Sequence, residues 1–249
     1  MAKARKQRVD LLLVEKGLAE SRSRAQALVL AGKVYCGEQR VDKAGDTIDP
    51  EAPLTVRGRD HPWASRGGLK LAHAIAHFGL DFDGAVCLDL GASTGGFTDV
   101  LLHNGAARVY AVDVGRGQLA WTLRQDARVI VLEGTNARAL SEAQVPERVD
   151  AITCDVSFIG LEKVLPAAMA LARPGAVLVA LIKPQFQAGR DKVGKGGVVR
   201  DPAVWDEVCE TIRSWLDAQP GWRVLGLTES PVQGPKGNHE FLIAARLSY

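Results

Sequence analysis

The segment VCLDLGASTGGF (86–97) constrains this chain more than any other stretch: an apolar run closed by Asp89 and Leu90, a turn with three glycines, then an apolar helical pattern. Strand, tight turn and helix in that order make the first unit of a nucleotide-binding α/β sheet. A second apolar run, RVYAVD (108–113), ends in Asp113 about twenty residues further on, where such folds set an acid against a ribose hydroxyl. Both features point at one pocket. What the loop lacks narrows its occupant. Gly91, Gly95 and Gly96 do not match G-x-G-x-x-G, and no Lys-Ser or Lys-Thr follows to make a phosphate loop. An acid at the loop entrance repels a pyrophosphate and suits a ligand carrying an amino group and a sulfonium. The loop therefore favours S-adenosylmethionine over a nicotinamide dinucleotide, with Asp89, Gly91, Ala92, Ser93, Thr94, Gly95, Gly96, Phe97 and Asp113 as its expected contacts.

From residue 64 onward, strand and helix patterns alternate. Strands are expected at 86–90, 109–113, 129–132, 151–155, 176–183 and 241–247, with helices at 161–172 and 203–218. The implied fold class is α/β, a Rossmann-like, mostly parallel sheet with an antiparallel last strand. The glycine-rich stretch 189–198 reads as a long loop of the kind that touches substrates.

The first sixty residues differ in character. Residues 9–17 suggest a short helix stopped by Gly17; SRSRAQALVLAG (21–32) offers Ser21 as an N-cap, a helical apolar stripe and a second stop at Gly32. Short strands are expected at 33–36, at Val41, at 47–48 and at 54–56. The net charge of +2 is unevenly spread, since residues 1–40 hold nine Lys and Arg against four acids. A basic end on a near-neutral body points to a polyanion, most simply nucleic acid, with Arg8, Lys16, Arg22, Arg24, Lys33 and Arg66 as candidate contacts. The stretch SRSRAQALVLAGKV (21–34) resembles the alpha-L RNA-binding module of a small-subunit ribosomal protein, some pseudouridine synthases and bacterial tyrosyl-tRNA synthetases. The expected division is an RNA-binding domain at 1–59, a linker at 60–64 and a catalytic domain at 65–249.

A chain of 249 residues, 47% apolar and 24% charged, suffices for one substantial core and a small accessory domain. No apolar run approaches the ~18–20 residues of a membrane helix, and the basic start lacks the apolar segment of a secretory signal, which points to the cytoplasm. Cys36, Cys87, Cys154 and Cys209 form no C-x-x-C pair and read as reduced thiols. His73 and His77, four apart, have no third ligand nearby, so no metal site is expected. Trp63 and Phe186 are the aromatic residues best placed to stack on a base.

Polar residues that close apolar strands face the ligand edge of such a sheet. Asp155 closes AITCD, Lys183 closes VLVALIK, Glu240 precedes the last strand, and Lys70 lies on a helix before the first. These four in order, with DLGASTGGFT (89–98), DVSFI (155–159), KPQF (183–186) and GNHEF (237–241), resemble the TlyA or hemolysin-A-like ribosomal RNA methyltransferases over nearly the whole chain. The catalytic domain of that family is similar to FtsJ-type ribose 2′-O-methyltransferases. The resemblance implies a catalytic tetrad of Lys70, Asp155, Lys183 and Glu240, S-adenosylmethionine as cofactor, and cytidine 2′-hydroxyls of ribosomal RNA, in the large subunit first, as acceptors. Lys183 is then expected to take the hydroxyl proton and Asp155 to orient it while compensating the cationic donor. Glu240 would hold Lys70 or the ribose, and Asn136 would meet the adenine edge. Ribosomal subunits are the expected partner, with neither membrane nor metal and with the monomer favoured. Two other readings stay open: an RNA-binding protein with an inactive methyltransferase domain, and a membrane-active hemolysin.

Overall fold

The computed structural model describes residues 6–58 and 61–248; residues 1–5, 59, 60 and 249, which include the basic start and part of the expected linker, lie outside the described residues. The first elements are β1 (Gln7–Arg8), α1 (Val9–Glu15), α2 (Arg22–Leu30), β2 (Val34–Cys36), β3 (Gln39–Arg40), β4 (Thr47–Ile48) and β5 (Leu54–Val56). The Ser21 hydroxyl accepts the Arg24 amide at 3.2 Å, satisfying one of the free donors at the start of α2. β3, β2 and β5 form one antiparallel sheet, and β1 pairs with β4. The strand expected at Val41 lies just before it, because Gly37 at φ 59° makes a tight turn that sets Gln39 opposite Cys36. Val9, Leu12, Leu13, Ala25, Leu28, Val29, Val34 and Leu54 form a core of their own. Asp10 is buried at its edge, bonded by Arg8 (2.8 Å), Arg22 (2.9 Å) and Gln26 (3.0 Å). The bond from Arg8, backed by those from Gln26 and Arg22, holds its carboxyl well below the usual carboxylate range.

The body follows: α3 (Gly67–Phe78), β6 (Val86–Leu90), α4 (Gly96–His103), β7 (Arg108–Asp113), α5 (Trp121–Arg124), β8 (Val129–Glu133), β9 (Val149–Cys154), α6 (Leu161–Met169), β10 (Ala172–Ile182), α7 (Pro184–Gln187), α8 (Pro202–Asp217), β11 (Trp222–Glu229) and β12 (Phe241–Leu247). One sheet runs in the order β11-β12-β10-β9-β6-β7-β8, parallel except where β12 meets its two neighbours. Its central strands are buried on both faces. Cys87, Val109, Ala151, Val179 and Leu181 enter one apolar layer, and Leu88, Leu90, Ile152, Leu178 and Ile182 enter the other. That is why these strands read as continuous apolar runs. Over one face α8 presents Val208, Ile212 and Leu216 at four-residue steps, started by Asp201, which accepts the Ala203 amide at 3.0 Å.

β10 starts at Ala172 rather than at 176, and α6 stops at Met169 rather than at 172. The pairing shifts between Ala172 and Val177, around a Pro174-Gly175 pair that reads as a break in sequence. β11 is an addition to the expected strands, an edge strand whose alternation is interrupted by an irregularity between Val224 and Gly226.

The sheet order turns at β6, which has β7 on one side and β9 on the other. Such a switch point opens a crevice at the carboxyl ends of the strands. Register then sets the neighbours: Leu90 lies opposite Cys154, and Ile182 opposite Phe241. Gly91, Asp155, Lys183 and Glu240, each one residue beyond those positions, therefore emerge at the same edge.

Candidate active site

The turn after β6 is built by close backbone contacts. A Cβ on Gly91, whose φ is 79°, would lie 2.7 Å from the Asp155 carbonyl oxygen. One on Gly95, at φ 96°, would meet the Leu123 side chain at 2.2 Å, and one on Gly96 would meet Ser65 Oγ at 2.3 Å and the Gly68 amide at 2.9 Å. Glycine at 91 and 95 answers both a left-handed backbone and a lack of room. Ser93, itself at φ 47°, donates its amide to Asp113 Oδ2 (2.8 Å), and Gly115 donates to Oδ1 (2.7 Å). The Thr94 carbonyl accepts the Ala120 amide at 3.1 Å. Asp113 thus braces the loop in this structure, and only the remaining lone pairs of its carboxylate are open to a ligand.

Asp89 corrects the sequence reading. It is fully buried, and its oxygens accept hydrogen bonds from Thr98 (2.7 Å) and Thr153 (2.9 Å) rather than facing the cleft. Burial pushes its carboxyl up to about 6, against the pull of the two threonine hydroxyls. Strand alternation explains the placement: Asp89 points to the same side as Cys87, under α4, where Thr98 and Thr153 reach it. Asn136 is exposed and caps the turn Ala137–Ala139 by accepting the Arg138 amide at 3.1 Å, outside the lining of the cleft.

A cleft of about 560 Å³ opens beside the loop, lined by Gly91 to Thr94, Gly96 and Phe97 on one wall. Lys70, Asp155, Lys183 and Glu240 all line it. They form two pairs. Lys70 Nζ donates to Glu240 Oε2 at 2.6 Å, and Lys183 Nζ lies 2.6 Å from Asp155 Oδ1 while donating to Ser157 Oγ at 3.0 Å. Lys70, Lys183 and Glu240 are at most 8% exposed. Charges this far from water persist only when paired, and removing one partner strands the other. Glu240 Oε1 has no hydrogen-bond partner among the described residues and rests against Gly234, where a Cβ would approach it to 2.0 Å. Of the two roles expected for Glu240, the structure displays its hold on Lys70.

Sequence reading passed over Ser157 and Glu20. Ser157 stands two residues beyond Asp155, at a spacing that gave no signal until β9 ended at Cys154. Glu20 reaches the cleft from the first module, accepting the Arg66 amide at 3.2 Å with the guanidinium at 3.5 Å. Arg8 and Arg22 meet over Asp10, Lys33 Nζ donates to the Gly58 carbonyl at 3.0 Å, the Arg24 amide is held by the Ser21 cap, and Lys16 lines a second groove with Gly17 and Ala120. Phe186 lines the cleft with its ring centre 4.8 Å from that of Phe158, which is 88% exposed at φ 67°. Trp63 instead packs on Gly68, where a Cβ would come within 2.4 Å of its side chain, and edge-on to His103 at 5.3 Å. His73 and His77 stack at 5.7 Å, with His73 also bonded to Thr228. Among the described residues no three His, Cys, Asp or Glu side chains are grouped as a metal ion would need.

The model of the FtsJ-like methyltransferases matches residues 63–247, and that of the S4 domain matches residues 7–53. The 16S/23S rRNA (cytidine-2′-O)-methyltransferase TlyA of Mycobacterium tuberculosis is 46% identical over 244 residues, 98% of this chain and 91% of that protein. The chain belongs to the TlyA branch of the FtsJ-like methyltransferases. Hemolysin A of Brachyspira hyodysenteriae is a further relative of this FtsJ-like chain, 39% identical over 94% of it and 98% of that protein. A solved structure from Streptococcus thermophilus, 43% identical, superposes with a TM-score of 0.76 over 99% of this chain and 90% of that one. The FtsJ-like domain therefore accounts for the large sheet and its cleft, and the S4 domain for the amino-terminal module. Among the described residues no helix is long and apolar enough to cross a membrane.

Proposed function

We propose that this chain transfers a methyl group from S-adenosylmethionine to the ribose 2′-hydroxyl of cytidine in ribosomal RNA, with the large subunit as first target. The observation that carries this reading is the pair of lysine–carboxylate contacts at the ends of β9 and β10 and the start of β12, beside a glycine loop whose own residues carry no cation. The names of its TlyA relatives in Mycobacterium tuberculosis and Campylobacter jejuni support the acceptor. The division into an RNA-binding part up to residue 59 and a catalytic part from 65 belongs to the same reading.

The residues present fit the donor. Gly91, Ala92, Ser93, Thr94, Gly96 and Phe97 offer a wall of backbone and small or apolar side chains, with Asp155, whose carbonyl packs against Gly91, as an anion that would face a sulfonium. When bound, S-adenosylmethionine supplies an already activated methyl group. What is left to the protein is alignment and one proton. Holding a nucleophile in line supplies roughly 7–11 kcal/mol, against about 10²–10⁴-fold from a positioned proton acceptor. In this reading the 2′-hydroxyl proton leaves toward the Lys183–Asp155 pair, Ser157 fixes the direction of Nζ, and Glu240 keeps Lys70 turned to the ribose. Lys183→Ala should lower methyl transfer to undermethylated ribosomal subunits by at least about 10²-fold while titration calorimetry shows donor binding unchanged. Near-normal turnover in that variant would sink the assignment.

A further inference from the structure

The stretch 189–198 is built as part of the cleft rather than as a free loop. Gly194 and Val198 pair as a short antiparallel bridge, and Gly196 and Gly197, at φ 85° and 79°, turn the chain between them. Nothing lies within 4 Å of a Cβ added to either glycine, so the turn is bare backbone on its outer side. Yet both glycines line the cleft. They are pinned there from behind. Asn238, 4% exposed, accepts the Val199 amide at 3.1 Å and donates to the Gly197 carbonyl at 3.0 Å, while Lys236, at φ 61°, donates from Nζ to the Gly196 carbonyl at 2.8 Å. A lysine in the left-handed region is strained. That strain is tolerated where the side chain ties two segments together. Asn238 stands two residues before Glu240, so one segment holds both the turn and the Lys70 partner.

The tip of this turn carries Lys195. Lys192, three residues earlier, is tied to Glu207 at 2.6 Å; Lys195 is exposed and has no carboxylate partner among the described residues. Resting on the function proposed above, a ribose seated at Lys183 has a phosphate on either side, and the strand that carries them must cross the cleft rim. One stretch of rim holds Arg66, already shared with Glu20. Another is the turn at 194–198, whose Gly196 and Gly197 line the cleft.

We propose that the Gly194–Val198 turn is a fixed phosphate-binding wall for the target RNA strand, with Lys195 gripping a phosphate next to the methylated nucleotide and Asn238 acting as the positioning residue that holds the turn. The bare backbone of Gly196 and Gly197 allows the strand to approach closely, and Lys195 supplies the charge that releases a counterion. Lys195→Glu is a surface change that leaves the fold intact. It should raise KM for transcribed large-subunit ribosomal RNA about tenfold and lower the slope of log affinity against log salt by about one, with kcat and donor affinity unchanged. Lys195→Arg should restore both. An unchanged KM and slope in Lys195→Glu, or a loss confined to kcat or to donor binding, overturns the proposal. If the wild-type protein binds that RNA but transfers no methyl to it, the function reading falls, while filter binding of the same RNA to Lys195→Glu still decides the role of the turn.

Discussion

Asp89 and Lys183 occupy adjacent regions of one sheet edge but meet opposite fates: the lysine is brought to the cleft with an anion beside it, and the aspartate is sealed away with two hydroxyls. Two hydroxyls stabilise a carboxylate less than water does, which is why burial dominates and the Asp89 carboxyl rises from 3.8 to about 6. The sign of its pH effect follows. A carboxyl that binds its proton more tightly in the fold than in the unfolded chain favours folding below about 4, and that margin is lost as pH climbs through 6. Ionised Asp89 therefore weighs against the fold at neutral pH. Asp89→Asn, which imitates the protonated acid, should be more stable than wild type in urea at pH 7.5 and no more stable at pH 4. Equal differences at the two pH values would count against this account.

At the scale of elements, the loop after β6 is fixed by how closely β9 approaches it. Gly91→Ala forces a left-handed backbone on alanine, at roughly 1–2 kcal/mol, and drives its Cβ toward the Asp155 carbonyl. Gly37→Ala at φ 59° has the same backbone strain with open space around it. Thermal unfolding should show Gly91→Ala losing clearly more than Gly37→Ala, with donor affinity reduced only in the former. These contacts also explain what could be read in advance. Asp155, Lys183 and Glu240 were legible because each stands at a break between an apolar strand and a loop, and the ends of β9 and β10 share an edge with the start of antiparallel β12; Lys70, inside α3, has no such break beside it. The direction of Asp89 was not legible, because both faces of β6 pack into apolar layers and an acid one residue short of the strand end gives no sign of being sealed inside one of them. β11 escaped because an edge strand needs only half of the usual pattern, and Pro174-Gly175 hid the first residues of β10. Trp63 looked like a stacking platform until Gly68 was seen to leave a recess that its side chain enters.

Among the described residues two aspartates are fully buried and of opposite character, one in the amino-terminal module and one in the body. Asp10 lies in the S4 module with two arginines and an amide around it and is held below the usual range; Asp89 lies in the FtsJ-like body and is pushed above it. A lowered carboxyl contributes stability above its unfolded value of 3.8, and that contribution fades as pH falls below it. Asp10→Asn should thus destabilise the module most at pH 7 and progressively less toward pH 3, the reverse in sign of the change at Asp89. Urea titrations of the two variants across that range check both signs together. The direction of β12 has a further, practical meaning. The strand begins at the cleft edge, with Phe241 opposite Ile182, and runs seven residues away from it to Leu247, roughly 20 Å along the sheet at the usual rise. Anything joined to the chain beyond β12, a dye or a surface anchor, emerges at the far side of the sheet, so the protein can be tethered by that end with its mouth still open to a particle as large as a ribosomal subunit.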